Sequence, residues 1–181
     1  MHDGARLEQI TEVIKRNSDT VYRLAFSMVK TVQDAEDIRQ EVFIRYIRKN
    51  PAFESPEHEK AWFIRVTANL CKNLLKSAWR QKRVSVDMRE EAEDGIRNPQ
   101  SVGFGPDIGR NPEEEFTEEE ELVVAAVKKL PLKYRGVVHL FYYEEMSIEE
   151  IATALRLKPS NVRTRLTRAR KMLKNWLKED V

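Results

Sequence analysis

Apolar residues recur along most of this chain at intervals of three and four, the spacing that gathers them on one side of an α-helix. The pattern holds over residues 7–16, 18–30, 34–49 and 58–83. It returns over about 114–129, 132–143, 147–156 and 160–178. In "SPEHEK", Ser55 is placed to cap a helix, Pro56 suits its first turn and acids follow, a good helix start. No hairpin signal and no internal repeat interrupts the helical spacing. The expected fold is all-α, two small helical domains over 1–86 and 122–181, joined by a flexible acidic linker over 87–121.

The interruption itself is informative. Residues 87–121 hold every glycine of the chain except Gly4 and Gly136, three of the seven prolines and only scattered apolar side chains. Such a composition buries too little surface to offset its ordering entropy. From about Asn111 the acids suit the N-terminus of the next helix. Charge sharpens the division. The chain's net +2 separates into +5 over 1–86, −10 over 87–121 and +7 over 122–181. Two basic ends flank an acidic middle.

Composition excludes some classes. At 181 residues, 41% hydrophobic and 34% charged, the chain has room for modest cores. It has no apolar run of about 18 residues, so no direct membrane insertion is expected. No basic-then-apolar stretch opens it, so no secretion signal is expected. The single Cys71 rules out an internal disulfide framework and fits a reducing cytoplasm, with the thiol a small core residue.

The segment "MSIEEIATALRLKPSNVRTRLTRARKML" contains two helix starts close together. Ser147 and Glu150 have the spacing of a capping box, and Ile148, Ile151, Ala152 and Leu155 form a buried stripe behind them. "LKPS" breaks that helix, and Pro159 or Ser160 opens the next. This is helix-turn-helix spacing. At about 100° per residue, Val162, Leu166, Ala169, Leu173 and Trp176 share the core side of the second helix. Ser160, Arg163, Thr164, Thr167 and Arg168 lie away from it. An N-terminal helical half of this kind suits a DNA major groove, with Arg matched to guanine edges and Thr to either base type. Arg165, Arg170, Lys171 and Lys174 flank it as phosphate contacts would. A solvated surface helix is the other reading, but such helices mix both signs of charge. From Arg156 to Lys178 there is no acid.

A second acid-free stretch, 60–83, repeats the theme. Arg65, Asn69, Lys72, Asn73, Lys76, Arg80 and Arg83 share one side, opposite Phe63, Val66, Leu70, Leu74 and Leu75. Asn reads base edges where Lys only neutralises phosphate. Trp62 and Trp79 border this face. Either indole could stack on an unpaired base or simply close the edge of the core. The preceding helix turns Ile38, Val42, Phe43 and Tyr46 inward. It leaves Asp37, Gln40, Glu41 and Ile44 outward, an acidic face with an exposed aliphatic that suits a protein partner or is merely solvated.

"DAEDIRQEVFIRYIR", "KAWFIRVTANLCKNLLK" and "LPLKYRGVVHLFYYEEMSIEEIATALRLKPSNVRTRLTRARKML" resemble, in order and spacing, the characteristic segments of bacterial extracytoplasmic-function (ECF) sigma factors. The resemblance covers roughly 18–86 and 122–175. It implies that the first domain docks on the β′ clamp of core RNA polymerase and opens the −10 element. The second domain would bind the −35 element, with the β flap as a further polymerase contact, and the linker would run near the RNA path. By position, Asp37, Gln40, Glu41 and Ile44 would touch polymerase. Trp62, Arg65, Asn69, Lys72, Asn73, Lys76 and Arg80 would meet the −10 strand. The loop 50–59 would capture a flipped base. Ser160, Arg163, Thr164, Thr167, Arg168 and Lys171 would read the −35 element. The chain stops soon after this helix, so no appended sensing domain is expected, and the resemblance implies an outside regulator, an anti-sigma factor. No cofactor is implied.

Other classes fit less well. His2, His58 and His139 are isolated, and neither metal-ligand spacing nor a phosphate-binding glycine loop occurs, which speaks against an enzyme. A self-sufficient repressor or activator would share the helix-turn-helix. It would not need the second basic, tryptophan-bordered face. An RNA-binding adaptor is a weaker third reading.

Overall fold

The computed structural model describes residues 2–29, 31–84 and 118–179. The expected linker lies almost wholly outside the described residues. Seven helices are described: α1 (His2–Met28), α2 (Val32–Lys49), α3 (Pro56–Val84), α4 (Glu118–Lys129), α5 (Leu132–Tyr142), α6 (Ile148–Leu155) and α7 (Pro159–Glu179).

The expected helices are present, with one correction. The two helices expected over 7–16 and 18–30 are one, α1. The polar run at Asn17–Ser18–Asp19 reads as a break, yet Asn17 stays in the helix. Its Nδ2 donates to the Val13 carbonyl one turn back (2.9 Å) and to Glu59 Oε1 (2.7 Å). A buried partner on α3 thus removes the reason for a turn. α2 begins at Val32, because the Thr31 hydroxyl accepts from the Asp34 N–H at 3.0 Å. Ser55 caps α3 as expected, accepting from the His58 N–H at 3.1 Å.

In the first domain α1, α2 and α3 enclose Leu24, Phe26, Ile38, Val42, Phe43, Phe63 and Ile64. Phe63 is wholly buried and packs on Phe43 and Tyr46. Burial of one such side chain stabilises by roughly 1.5–3 kcal/mol. In the second domain Leu130, Tyr134, Val137, Leu140, Ile151, Ala154, Val162, Leu166 and Ala169 form the core. The two domains also pack on each other. α5 lies against α1, and α6 lies against α3. That arrangement places the candidate sites.

Candidate nucleic-acid interface

The helix-turn-helix is built as its sequence requires. The Ser147 hydroxyl accepts from the Glu150 N–H (3.2 Å), and the Ser147 N–H donates to the Glu150 carboxylate (2.7 Å). Those bonds hold the Glu150 carboxyl below its ordinary range. α6 ends at Arg156, in the left-handed region at φ 54°, and the Leu157 N–H closes the turn on the Ala152 carbonyl at 2.9 Å. α7 starts at Pro159, with Val162, Leu166 and Ala169 buried beneath it.

On its outer side Ser160, Arg163, Thr164, Thr167, Arg168 and Lys171 are all exposed, as expected. The Thr164 hydroxyl donates to the Ser160 carbonyl at 2.9 Å, and Arg163 rests 3.3 Å from the Glu149 carboxylate, both ends largely in solvent. Two expected phosphate contacts are otherwise engaged. Arg165 is half-buried and donates to the Lys133 carbonyl (3.3 Å), and burial pushes its pKa down. The Arg170 Nε donates to the Tyr142 hydroxyl at 2.6 Å, and the guanidinium lies over the Phe141 and Tyr142 rings.

α3 divides the second basic face. Asn69, Asn73, Lys76 and Arg80 are exposed along one line. Arg65 and Lys72 turn toward the second domain. Arg65 donates to the Ala154 and Thr153 carbonyls, each at 3.1 Å. Lys72 is half-buried, and burial, with Arg165 beside it, lowers its pKa. Trp62 is half-buried, edge-on to Phe63 at 5.0 Å, to Phe53 at 6.0 Å and to Tyr46 at 6.3 Å. Trp62 thus closes the edge of the core, with part of its surface open. The Trp79 and Arg83 side chains lie outside the described residues.

On α2, Asp37, Gln40 and Ile44 are exposed, Ile44 at 41%, and Glu41 is half-exposed with Arg45 2.8 Å away. Single-sequence reading missed the ion pair that braces the adjoining loop. Arg16 grips Glu59 through Nε (2.7 Å) and Nη2 (2.6 Å), and Asn17 adds a third donor. Arg16, against the cost of burial, holds the Glu59 carboxyl below its ordinary range. The partners lie 43 residues apart, so no local pattern exposes them. Beside this pair a groove of about 700 Å³ runs between α1 and the loop, lined by Arg6, Gln9, Asn50, Phe53, Glu54 and Glu59 among others.

Two acid-free helical stretches on separate domains and an acidic face with an exposed aliphatic are thus brought into one molecule. Comparison with known proteins gives the class. Residues 13–81 match the family model for sigma-70 region 2, and 120–173 match that for sigma-70, region 4. The ECF sigma-E factor of Escherichia coli is 31% identical, over 78% of this chain and 73% of that protein. SigE of Mycolicibacterium smegmatis is 30% identical over 97% of this chain, which spans 64% of that relative's length. A Bartonella quintana sigma factor, RpoE, solved in complex with the anti-sigma factor NepR, shares the fold. Its TM-score is 0.69 at 20% identity, covering 98% of this chain and 99% of that one. The chain belongs to the sigma-70 family, in its ECF class. It is an alternative sigma factor, a transcription initiation factor that directs RNA polymerase to promoters.

Proposed function

We propose a division of labour over 1–86, 87–121 and 122–181. The first domain docks on core polymerase through Asp37, Gln40, Glu41 and Ile44. It engages the −10 strand through the line Asn69, Asn73, Lys76 and Arg80, with Trp62 at its open border and a flipped base captured by the loop 50–59. The second reads the −35 element through Ser160, Arg163, Thr164, Thr167, Arg168 and Lys171. The carrying observation is that Asn69, Asn73, Lys76 and Arg80 on α3, and the six outward residues of α7, stand exposed on helices whose inner sides join the buried core. Asn amides and Arg forks at such positions read base edges, while Lys neutralises phosphate. An anti-sigma partner, as in the Bartonella complex, and a cytoplasmic location complete the reading; none of the described helices is long and apolar enough to cross a membrane. The protein performs no chemistry itself and requires no cofactor.

Transcription from a promoter library with purified core polymerase tests the assignment. Asp37→Lys with Glu41→Lys should abolish co-purification with polymerase. Asn69→Ala with Asn73→Ala keeps every cation, so it should co-purify yet give less open complex by permanganate reactivity of unpaired thymines. If the Asn variant melts promoters normally and the acidic-face variant still binds polymerase, the first-domain assignment fails.

A further inference from the structure

α5 ends in two aromatic residues that the core uses unequally. Phe141 packs against the buried cluster, whereas Tyr142 is 54% exposed. Their rings stand 5.0 Å apart at 78°, which makes a corner. The Arg170 guanidinium of α7 sits in that corner, its Cζ 5.6 Å from the centre of the Phe141 ring and 5.7 Å from that of Tyr142. Its Nε donates to the Tyr142 hydroxyl at 2.6 Å. Cation–π attraction and a hydrogen bond thus fix a side chain that is otherwise rich in rotamers. Arg170 nevertheless stays exposed, and its partners among the described residues are neutral, a hydroxyl and two rings. Arg165, the other engaged cation, is by contrast half-buried against a backbone carbonyl. One cation is withdrawn; the other is held in place and left open.

We propose that Tyr142 and Arg170 form a phosphodiester-binding site at the rim of the −35 groove, with Arg170 as the contact and Tyr142 as the residue that positions it. The proposal rests on the promoter-binding reading above and adds to it a residue from outside the helix-turn-helix. Of the guanidinium nitrogens only Nε is used within the chain. The Nη1 and Nη2 edge remains, the fork that matches two oxygens of one phosphate. The Tyr142 hydroxyl accepts from Nε and so keeps its own proton to donate. Accepting a bond from a cation also strengthens that proton as a donor. Fork and hydroxyl together offer donors only, as an anion requires.

Position along α7 selects DNA as the source of that anion. Arg170 follows Arg163 and Thr167 in one row, at the i, i+4, i+7 spacing that stacks side chains on a helix face. About 10.5 Å of helix separates Arg163 from Arg170. The major groove is about 12 Å wide, and a recognition helix reads base edges with its N-terminal residues. A helix that reads bases at Arg163 and Thr167 therefore brings Arg170 to the sugar–phosphate wall. A flexible cation there loses rotamer freedom on binding, whereas one already held by Phe141 and Tyr142 has little left to lose.

The test uses the full chain assembled with core polymerase, on promoter fragments that carry one neutral methylphosphonate linkage, moved stepwise across the −35 element. With wild type, one linkage at the edge of the element should weaken binding about tenfold. Arg170→Ala should bind unmodified DNA about tenfold more weakly, alike for every −35 sequence, and should lose its sensitivity at that linkage alone. Its slope of log affinity against log salt should be shallower by about 1. Tyr142→Phe keeps both rings and removes only the hydroxyl. It should bind about threefold more weakly, with reduced sensitivity at the same linkage. An Arg170→Ala protein that stays sensitive at every linkage, however weakly it binds, has lost only a strut between α5 and α7, and the site falls. Wild-type affinity and sensitivity in Tyr142→Phe would overturn the positioning role. Arg168→Ala, measured in parallel, separates this site from the reading beneath it. If it relaxes −35 preference while Arg170→Ala is silent, the phosphate site alone is lost. A wild type indifferent to the −35 sequence loses the promoter reading, and this site with it.

Discussion

Cys71 sits wholly buried on α3, with Arg135 of the second domain nearby. Burial pushes its thiol up to about 12, so the reactive thiolate is absent at neutral pH. Ellman's reagent at pH 8 should leave the native protein untouched and titrate one thiol after denaturation. Stoichiometric reaction of the native chain would contradict this packing. On α7, Arg168 and Lys174 are both exposed, Lys174 about 1.7 turns further toward the C-terminus, and the promoter-binding proposal gives them different tasks. Arg168→Ala should cost about 1–3 kcal/mol and relax specificity at one −35 position. Lys174→Ala should weaken all promoters alike and flatten the salt dependence of binding. Identical profiles of the two variants across a −35 library would contradict the choice of face.

At the scale of elements, α6 is the least self-sufficient. Its eight residues form little more than two turns, so both ends depend on capping. The Ser147–Glu150 box serves the first end and was legible from two residues three apart. Ser147→Ala should lower stability by about 1 kcal/mol, read as a shift of the urea midpoint at constant m-value. An unchanged midpoint would mean that α6 is held by packing alone. The other end is served by Arg65, 88 and 89 residues away, which no local pattern announces. α3 shows the same division. Helical spacing correctly grouped Asn69, Asn73, Lys76 and Arg80, but it also grouped Arg65 and Lys72, because a wheel has no neighbour in it.

At the scale of the molecule, Glu144, which accepts from Arg23 Nε of α1 at 3.3 Å, carries a pH signature. His139, 3.6 Å away and so beyond hydrogen-bond length, and Arg23 and Lys60 all favour the carboxylate, with Thr20 a further donor. Against the cost of burial they hold Glu144 at about 2, below its ordinary 4.5. A depressed carboxyl stabilises fully above its unfolded pKa, and the contribution is lost as pH falls toward the folded one. The stability advantage of wild type over Glu144→Gln should thus be constant from pH 7 to about 5 and decline steadily toward pH 2. Denaturant titrations of both proteins across that range measure it. An advantage independent of pH would mean that folding leaves the Glu144 carboxyl at its unfolded pKa.

Local and pairwise-periodic information was enough to place the helices, the caps at Ser55 and Ser147, the core side of α7 and the exposed lines on α2, α3 and α7. Each depends on residues within a few turns, where helical geometry alone dictates direction. The continuity of α1 did not follow, since Asn17 remains helical only because Glu59 of α3 takes its amide. Nor did the fates of Arg65, Arg165 and Arg170, which a carbonyl or an aromatic residue from another helix engages, or of Lys72, which the packing of the second domain half-buries. A cation on a helix face serves whichever acceptor comes within reach. The sequence determines that the acceptor-seeking group is there, and only the tertiary structure brings the acceptor.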